Sequence, residues 1–391
     1  MNPRVVIVGA GQAASQAIET LRRRGHTGPI TLIGDEDLLP YQRPPLSKKY
    51  LAGTLERDRL LIRHMDHYLA HGIDLRLGFA AVRIDRERHR VEIADGTSIE
   101  YDHLLIATGS RPRLLPQDWE SVRPLYLRTA MDVELLRREM APGRRAVIIG
   151  GGYIGLESAA TLREAGLEVT VFEAADRVMS RVVSPAVSRF YEAEHARHGV
   201  EIRCGDFYRL PVPGTEIRED FVLAAIGVVP ADSLARDAGI ACDDGILVDE
   251  YCRTSDPDIW AAGDCTRHPS VRYGMRVRLE SVDNAFEQAT SAALNMLGLA
   301  TVHDKVPWFW SDQYDLKMVI VGLAAGFDTA VLRGDPATRA FSVCYLRDGE
   351  LIAVETVNHT KDQMAARKMI PARARPDPRK LADPAMALRD C

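Results

Sequence analysis

The chain has 391 residues, 46% of them hydrophobic and 27% charged, and a formal net charge of −5. That length and balance fit two or three ordinary globular domains. They give no global attraction for nucleic acid or an anionic membrane surface, and no apolar run approaches the roughly 18–20 residues of a membrane span. The six cysteines include no Cys-x-x-Cys pair and no zinc-ligand spacing, so reduced thiols, a cytoplasmic setting and no metal centre are expected.

In chain order, Val5-Val6-Ile7-Val8 reads as a strand buried on both faces. Arg4 before it resembles the start of a secretion signal, but the strand accounts for the whole run. Gly9 allows a tight turn, Gly11 a close backbone approach to a pyrophosphate, and Ala14 close packing of the following helix. Ala17, Ile18 and Leu21 form that helix's apolar stripe, and Gly25 and Gly28 end it. A second strand, Ile30-Thr31-Leu32-Ile33, leads to Asp35, placed where an acid accepts from a ribose hydroxyl, with Glu36 the alternative. His64, His67 and His71 share one helical face and read as a partly exposed helix, not a metal site.

The fingerprint recurs about 140 residues later, which makes it far more specific than a single Gly-rich stretch. Ala146-Val147-Ile148-Ile149 is the strand and Gly150, Gly152 and Gly155 fill all three glycine positions, with Tyr153 and Ile154 opening the helix. The next strand ends at Glu173, a carboxylate suited to the 2′-hydroxyl of NADH and repelling the 2′-phosphate of NADPH. Arg177 and Arg181 follow closely as cations that favour NADPH, and NADH is the expected cofactor. Two dinucleotides in one chain suggest electron passage from a nicotinamide to a flavin. Cys242, Cys252 and Cys265 lack the spacing and fourth ligand of an iron–sulfur site.

Between the fingerprints lies Ala107-Thr108-Gly109, and after them Gly263-Asp264. This order resembles the flavoproteins with two dinucleotide-binding domains, in which FAD takes the first site and NAD(P)H the second. Members that reduce disulfides carry a cysteine pair after the first unit; residues 37–48 here contain none. Instead, Arg43-Pro44-Pro45-Leu46-Ser47-Lys48, Tyr126-Leu127-Arg128-Thr129, Glu280-Ser281-Val282-Asp283-Asn284-Ala285 and Pro307-Trp308-Phe309-Trp310-Ser311-Asp312-Gln313-Tyr314 closely resemble the oxygenase-coupled ferredoxin reductases. The resemblance covers nearly the whole chain.

It implies an α/β fold, glutathione-reductase-like, with an FAD domain (1–112 and 233–303) interrupted by an NAD domain (113–232) and followed by a C-terminal α+β domain (304–391). FAD contacts would come from Gly9, Gly11, Ala13, Ala14, Asp35, Arg43, Lys48, Val82, Ala107, Thr108, Gly109, Arg128, Asp264, Val282 and Trp310, with Asp264 on the ribityl chain. NADH would meet Gly150, Gly152, Tyr153, Ile154, Gly155, Glu173 and Gly227. Lys48 and Glu157 would pair beside the flavin as the catalytic residues, the lysine supplying a cation for the reduced ring. Trp308 and Trp310 share one strand face, with Phe309 packing inward.

A helix at 287–297 is expected to close the FAD domain; in the C-terminal domain, strands are expected near 316–321, 341–346 and 351–354 with a turn at Asp348-Gly349, followed by a helix at 362–369. The segment 206–220 is shorter than in the family, so a hairpin of the NAD domain is expected to be reduced or absent. The implied partner is a [2Fe–2S] ferredoxin, bound transiently and serving a cytochrome P450 or a Rieske oxygenase, with the reductase a monomer or weak homodimer. Arg367, Lys368, Arg373, Arg375, Arg379 and Lys380 form the best basic docking stretch. An NADH oxidase or diaphorase using a quinone or monodehydroascorbate, and a redox-sensing binding protein like apoptosis-inducing factor, are the alternatives.

Overall fold

A computed structural model describes residues 2–117, 123–208 and 219–391. Residues 209–218, the heart of the shortened segment, lie outside the described residues. The chain forms two compact units, one of residues 1–42, 57–111 and 229–305, the other of 43–56, 112–228 and 306–391.

In the first unit the strand Val5–Val8 is central to a five-stranded parallel sheet, between Ile30–Gly34 and His103–Ile106, with Ile73–Leu77 and Ile259–Ala261 at the edges. Its β-branched run is buried throughout because both faces of the sheet are covered: Val5 and Ile7 share a core with Ala14, Ala17, Ile18 and Leu21 of the following helix, and Val6 and Val8 share one with Ile84, Val91 and Ile93 of the antiparallel strands Ala81–Asp85 and Arg90–Ile93. The helix Gln12–Arg23 buries Ala14, Ala17, Ile18 and Leu21 completely and packs against Val282–Met296. That second helix begins five residues earlier than expected. Ser281 accepts the Asn284 N–H at 3.0 Å, a cap that the apolar pattern alone did not reveal. The helix carrying His67 is short, Met65–Ala70, so His64 and His71 flank it, with the His67 and His71 rings 4.3 Å apart. Among the described residues no group of three or more His, Cys, Asp or Glu side chains is placed to hold a metal, and no helix is long and apolar enough to cross a membrane.

In the second unit Arg145–Ile149 is central to a four-stranded parallel sheet, flanked by Glu168–Glu173 and Phe221–Ala224, with Val200–Cys204 outermost. A five-stranded antiparallel sheet runs in the order Trp308–Gln313, Leu316–Gly322, Glu350–Val357, Phe341–Arg347, Thr329–Arg333. Asp348 and Gly349 both have positive φ, 51° and 77°, the geometry that a two-residue hairpin demands of an Asp-Gly pair. Residues 43–56 pack within this unit. Tyr50 is buried and its hydroxyl donates to Glu134 at 2.6 Å.

Two buried polar groups hold this unit. The Arg333 guanidinium bonds Asp362 at 2.8 Å and donates to the carbonyls of Leu381 and Asp383 and to that of Met386, tying the C-terminal residues to the sheet. Glu355, also buried, accepts the Ser184 N–H at 3.1 Å, and burial pushes its carboxyl up to about 7. Arg333→Leu removes the guanidinium from the buried Asp362 carboxylate, leaving it the Ser342 hydroxyl and His359, so a loss of about 3–5 kcal/mol is expected in chemical denaturation. Because the Glu355 carboxyl titrates above its unfolded range, its contribution is full below pH 4.5 and is lost as pH rises through about 7. Glu355→Gln should therefore flatten the fall in stability between about pH 4.5 and 7, read as melting temperature against pH.

Candidate dinucleotide sites and the Lys48–Glu157 pair

The two glycine loops share one geometry. Gly9 and Gly150 both sit at φ +106°, where a side chain is strained, and a Cβ on either would collide with a backbone carbonyl, that of Ala107 or Ala225. A Cβ on Gly155 would meet the Gly150 carbonyl, so that glycine sets the close approach of its helix to the strand. Gly11 and Gly152, by contrast, face nothing within 4 Å. They are the N-cap residues of Gln12–Arg23 and Tyr153–Glu164, neither helix has a side-chain cap, and neither carries an acid in its first turn. The helices Ala130–Glu139, Pro185–Arg197 and Val282–Met296 are all capped, by Thr129, Ser184 and Ser281. Two open loops with free N–H groups at a positive helix end are what a pyrophosphate requires, and the residues fit a dinucleotide in each.

Around the first loop, Ala13 lies 3.5 Å from where a Gly263 Cβ would stand, which brings the Gly-Asp turn against the fingerprint helix. Asp264 accepts from the Ser110 hydroxyl at 2.8 Å. Thr108 donates to the Ala231 carbonyl at 2.6 Å, and the Gly109 carbonyl accepts the Ala231 N–H at 2.9 Å, fixing the return of the chain. Asp35 is exposed just past its strand, while Glu36 accepts from the Tyr41 hydroxyl at 2.6 Å, which leaves Asp35 the freer carboxylate for a ribose. Val82 is exposed on Ala81–Asp85, and Val282 opens its helix. Gln288 was not legible beforehand. Its buried Oε1 accepts from the Gly263 N–H and the Thr266 hydroxyl, each at 2.8 Å, and anchors the Gly-Asp turn.

Around the second loop, Glu173 accepts the Gly151 N–H at 2.7 Å and the Ala175 N–H at 2.8 Å, placing its carboxylate beside the glycines. Arg177 is spent on the carbonyls of Ser180 and Val183 and the Ser188 hydroxyl, whereas Arg181 is exposed near Gly227. Ile154 is exposed, and Tyr153 packs on Phe309 with ring centroids 4.4 Å apart. Phe309 thus points opposite to Trp308 and Trp310, which stack 5.2 Å apart.

Lys48 and Glu157 meet at 2.5 Å. Glu157 lies on the helix that the second loop opens and is only 3% exposed. Its carboxylate also accepts from the hydroxyls of Ser47 at 2.5 Å and Ser311 at 2.6 Å. The Ser47 carbonyl accepts from Thr161 at 2.9 Å, which pins the 43–56 segment to the same helix. Arg43 donates to the Arg128 carbonyl at 2.5 Å. Of the basic stretch, Arg367 lies 3.9 Å over Trp308 and Arg375 donates to the Asp348 carbonyl, while Lys368, Arg373, Arg379 and Lys380 are exposed.

Residues 3–289 match the model of the pyridine nucleotide-disulphide oxidoreductases, and 308–391 match the reductase C-terminal model. The chain belongs to the pyridine nucleotide-disulphide oxidoreductase family. This oxidoreductase is 44% identical to rhodocoxin reductase from Rhodococcus erythropolis, over 97% of its own length and 92% of that protein. It is 41% identical to the ferredoxin–NAD(+) reductase component of the anthranilate 1,2-dioxygenase system from Burkholderia cepacia, covering 98% of each. Its fold superposes on the reductase of a solved covalent putidaredoxin reductase–putidaredoxin complex with TM-score 0.93 and 41% identity, over 98% of this chain and 96% of that one. The family's name notwithstanding, residues 37–48 of this oxidoreductase hold no cysteine and its six cysteines are free.

The geometry predicts separable losses. Gly150→Ala should abolish binding at the second loop while the first stays filled, and Gly9→Ala the reverse. Bound-flavin absorbance and NADH titration distinguish the two.

Proposed function

We propose that this oxidoreductase is an FAD-containing NADH:ferredoxin reductase that supplies electrons to a cytochrome P450 or Rieske oxygenase. The observation that carries the reading is the pair of open, uncapped glycine loops in a chain that matches such reductases from end to end. FAD held at the first glycine loop would supply a two-electron acceptor for hydride from NADH and a one-electron donor for a carrier, here a [2Fe–2S] ferredoxin.

The chain's own residues bind and orient. Free N–H groups at Gly11 and Gly152 hold the two pyrophosphates, Asp35 and Glu173 take the adenosine riboses, and Asp264 takes the ribityl chain. With Arg177 sequestered, Glu173 meets a 2′-phosphate with one exposed cation, Arg181, so NADH is favoured over NADPH. Lys48, held by Glu157, supplies the positive charge that reduction of the flavin calls for. Ala13, Ala14, Val82, Ala107, Thr108, Gly109, Arg43, Arg128, Val282 and Trp310 complete the FAD contacts, and Tyr153, Ile154 and Gly227 those of NADH. The exposed cations Lys368, Arg373, Arg379 and Lys380 would steer an acidic ferredoxin into a transient complex. The free cysteines accord with a cytoplasmic enzyme.

Cytochrome c reduction by the purified protein with NADH should be slow alone and fast with a [2Fe–2S] ferredoxin. Rapid turnover with a quinone or oxygen that ferredoxin leaves unchanged would instead mark a diaphorase or oxidase. Lys48→Ala should slow flavin reduction roughly tenfold or more in stopped flow, at unchanged FAD content.

A further inference from the structure

Glu157 stands at the end of a buried chain of hydrogen bonds that runs away from Lys48. The Ser311 hydroxyl is 2.6 Å from Glu157 Oε1. Gln313 Nε2 is 3.2 Å from Ser311 Oγ, and Gln313 Oε1 is 2.9 Å from His195 Nε2. The Tyr314 hydroxyl is 3.1 Å from His195 Nδ1, and the Tyr314 ring stacks on His198 at 3.7 Å. Ser311, Gln313 and His195 are all essentially inaccessible, whereas Tyr314 is half-buried.

Simple proton bookkeeping assigns every bond a direction. An ionised carboxylate only accepts, so Ser311 spends its one proton on Glu157. Ser311 then receives from Gln313, which must turn its amide nitrogen toward the serine and its oxygen toward His195. His195 therefore donates from Nε2. Burial pushes its imidazolium form down to about 4, so the ring is neutral near pH 7 and its Nδ1 is free to accept from Tyr314. All four bonds point the same way, from Tyr314 through His195, Gln313 and Ser311 to Glu157. Hydrogen bonds aligned in this manner polarise one another and strengthen the last, which is the one on the carboxylate.

We propose that His195, acting through Gln313 and Ser311, is a positioning residue that fixes the Glu157 carboxylate in the orientation that holds Lys48. Pro185–Arg197 delivers the histidine from the nucleotide-binding sheet's side of the unit, and Trp308–Gln313 delivers the serine and glutamine from the antiparallel sheet. On that strand Ser311 and Gln313 alternate with Trp308 and Trp310, so the same bonds that orient Glu157 also fix the register of the two indoles. A purely apolar inner face would pack against the helices Tyr153–Glu164 and Pro185–Arg197 equally well but would leave Glu157 Oε1 without a donor. The proposal rests on the reading of Lys48 and Glu157 as the pair that serves flavin reduction.

Two measurements on the holoenzyme test it. Nitrogen-15 NMR of the labelled protein at pH 7, with the His195 signals assigned by their loss in His195→Gln, should show a neutral ring protonated at Nε2. A ring protonated at Nδ1, or at both nitrogens, overturns the assigned direction of the chain. In stopped flow, Ser311→Ala and Gln313→Leu should each slow flavin reduction about fivefold or more while the NADH dissociation constant stays close to the parent value. Ser311→Thr, which keeps the hydroxyl, should recover most of the rate. Parent-like rates in both Ser311→Ala and Gln313→Leu overturn the positioning role. Should Lys48→Ala itself reduce its flavin at the parent rate, the underlying reading of the pair is what fails, and the proposal falls with it.

Discussion

A carboxylate taken out of water must be given donors, and Glu157 is where that requirement organises this molecule. The group is buried on the helix that the second glycine loop opens, and it collects Lys48, Ser47 and Ser311 from two other parts of the chain. The cost of leaving such a charge unpaired is several kcal/mol, enough to dictate where the partners go. One consequence is that residues 43–56 pack within the second unit, although residues 1–42 and 57–111 belong to the first. Another is that the inner face of Trp308–Gln313 is polar at two successive positions, where a core strand would ordinarily carry aliphatic side chains.

The dinucleotide sites follow from a second constraint, the close passage of backbone past backbone. Each loop places one glycine where a side chain would strike a carbonyl and another where a side chain would face empty space. The first makes the turn possible and the second keeps the approach to a phosphate open. The helices that follow are left uncapped while others in the chain have capping side chains, so the free N–H groups are reserved for a ligand. The same device serves twice with different surroundings. At the first loop the Gly-Asp turn, anchored by Gln288, closes in; at the second, Glu173 spans the glycines directly.

Much of this was legible because the relevant signals are local. Val5–Val8 and Arg145–Ile149 are short apolar runs ending in glycine, and a glycine fingerprint after a strand has few other uses. The Asp348-Gly349 hairpin was equally plain, since few pairs tolerate two positive φ angles in succession. Where a boundary depended on a cap, as at Ser281, hydrophobic periodicity alone placed it several residues late. Lys48 and Glu157 were named as partners through the family resemblance, not through their spacing, which says nothing about contact between residues so far apart in sequence.

The sequence by itself therefore determined the fold class with its two dinucleotide-binding fingerprints, the candidate glycines and acids within them, and the lack of a cysteine pair where a disulfide-reducing enzyme carries one. Each of these depends on residues close together in the chain, where steric and hydrogen-bonding rules act directly. Only the tertiary structure decided which donors satisfy Glu157, that Arg177 is consumed by its own loop, that Gln288 holds the Gly-Asp turn, and that His195 and Gln313 stand in line behind Ser311. Serine, glutamine and histidine carry no distinctive periodic signal. What they bond is settled by which strands and helices the packing brings together, and by the rule that a buried polar group must find a partner.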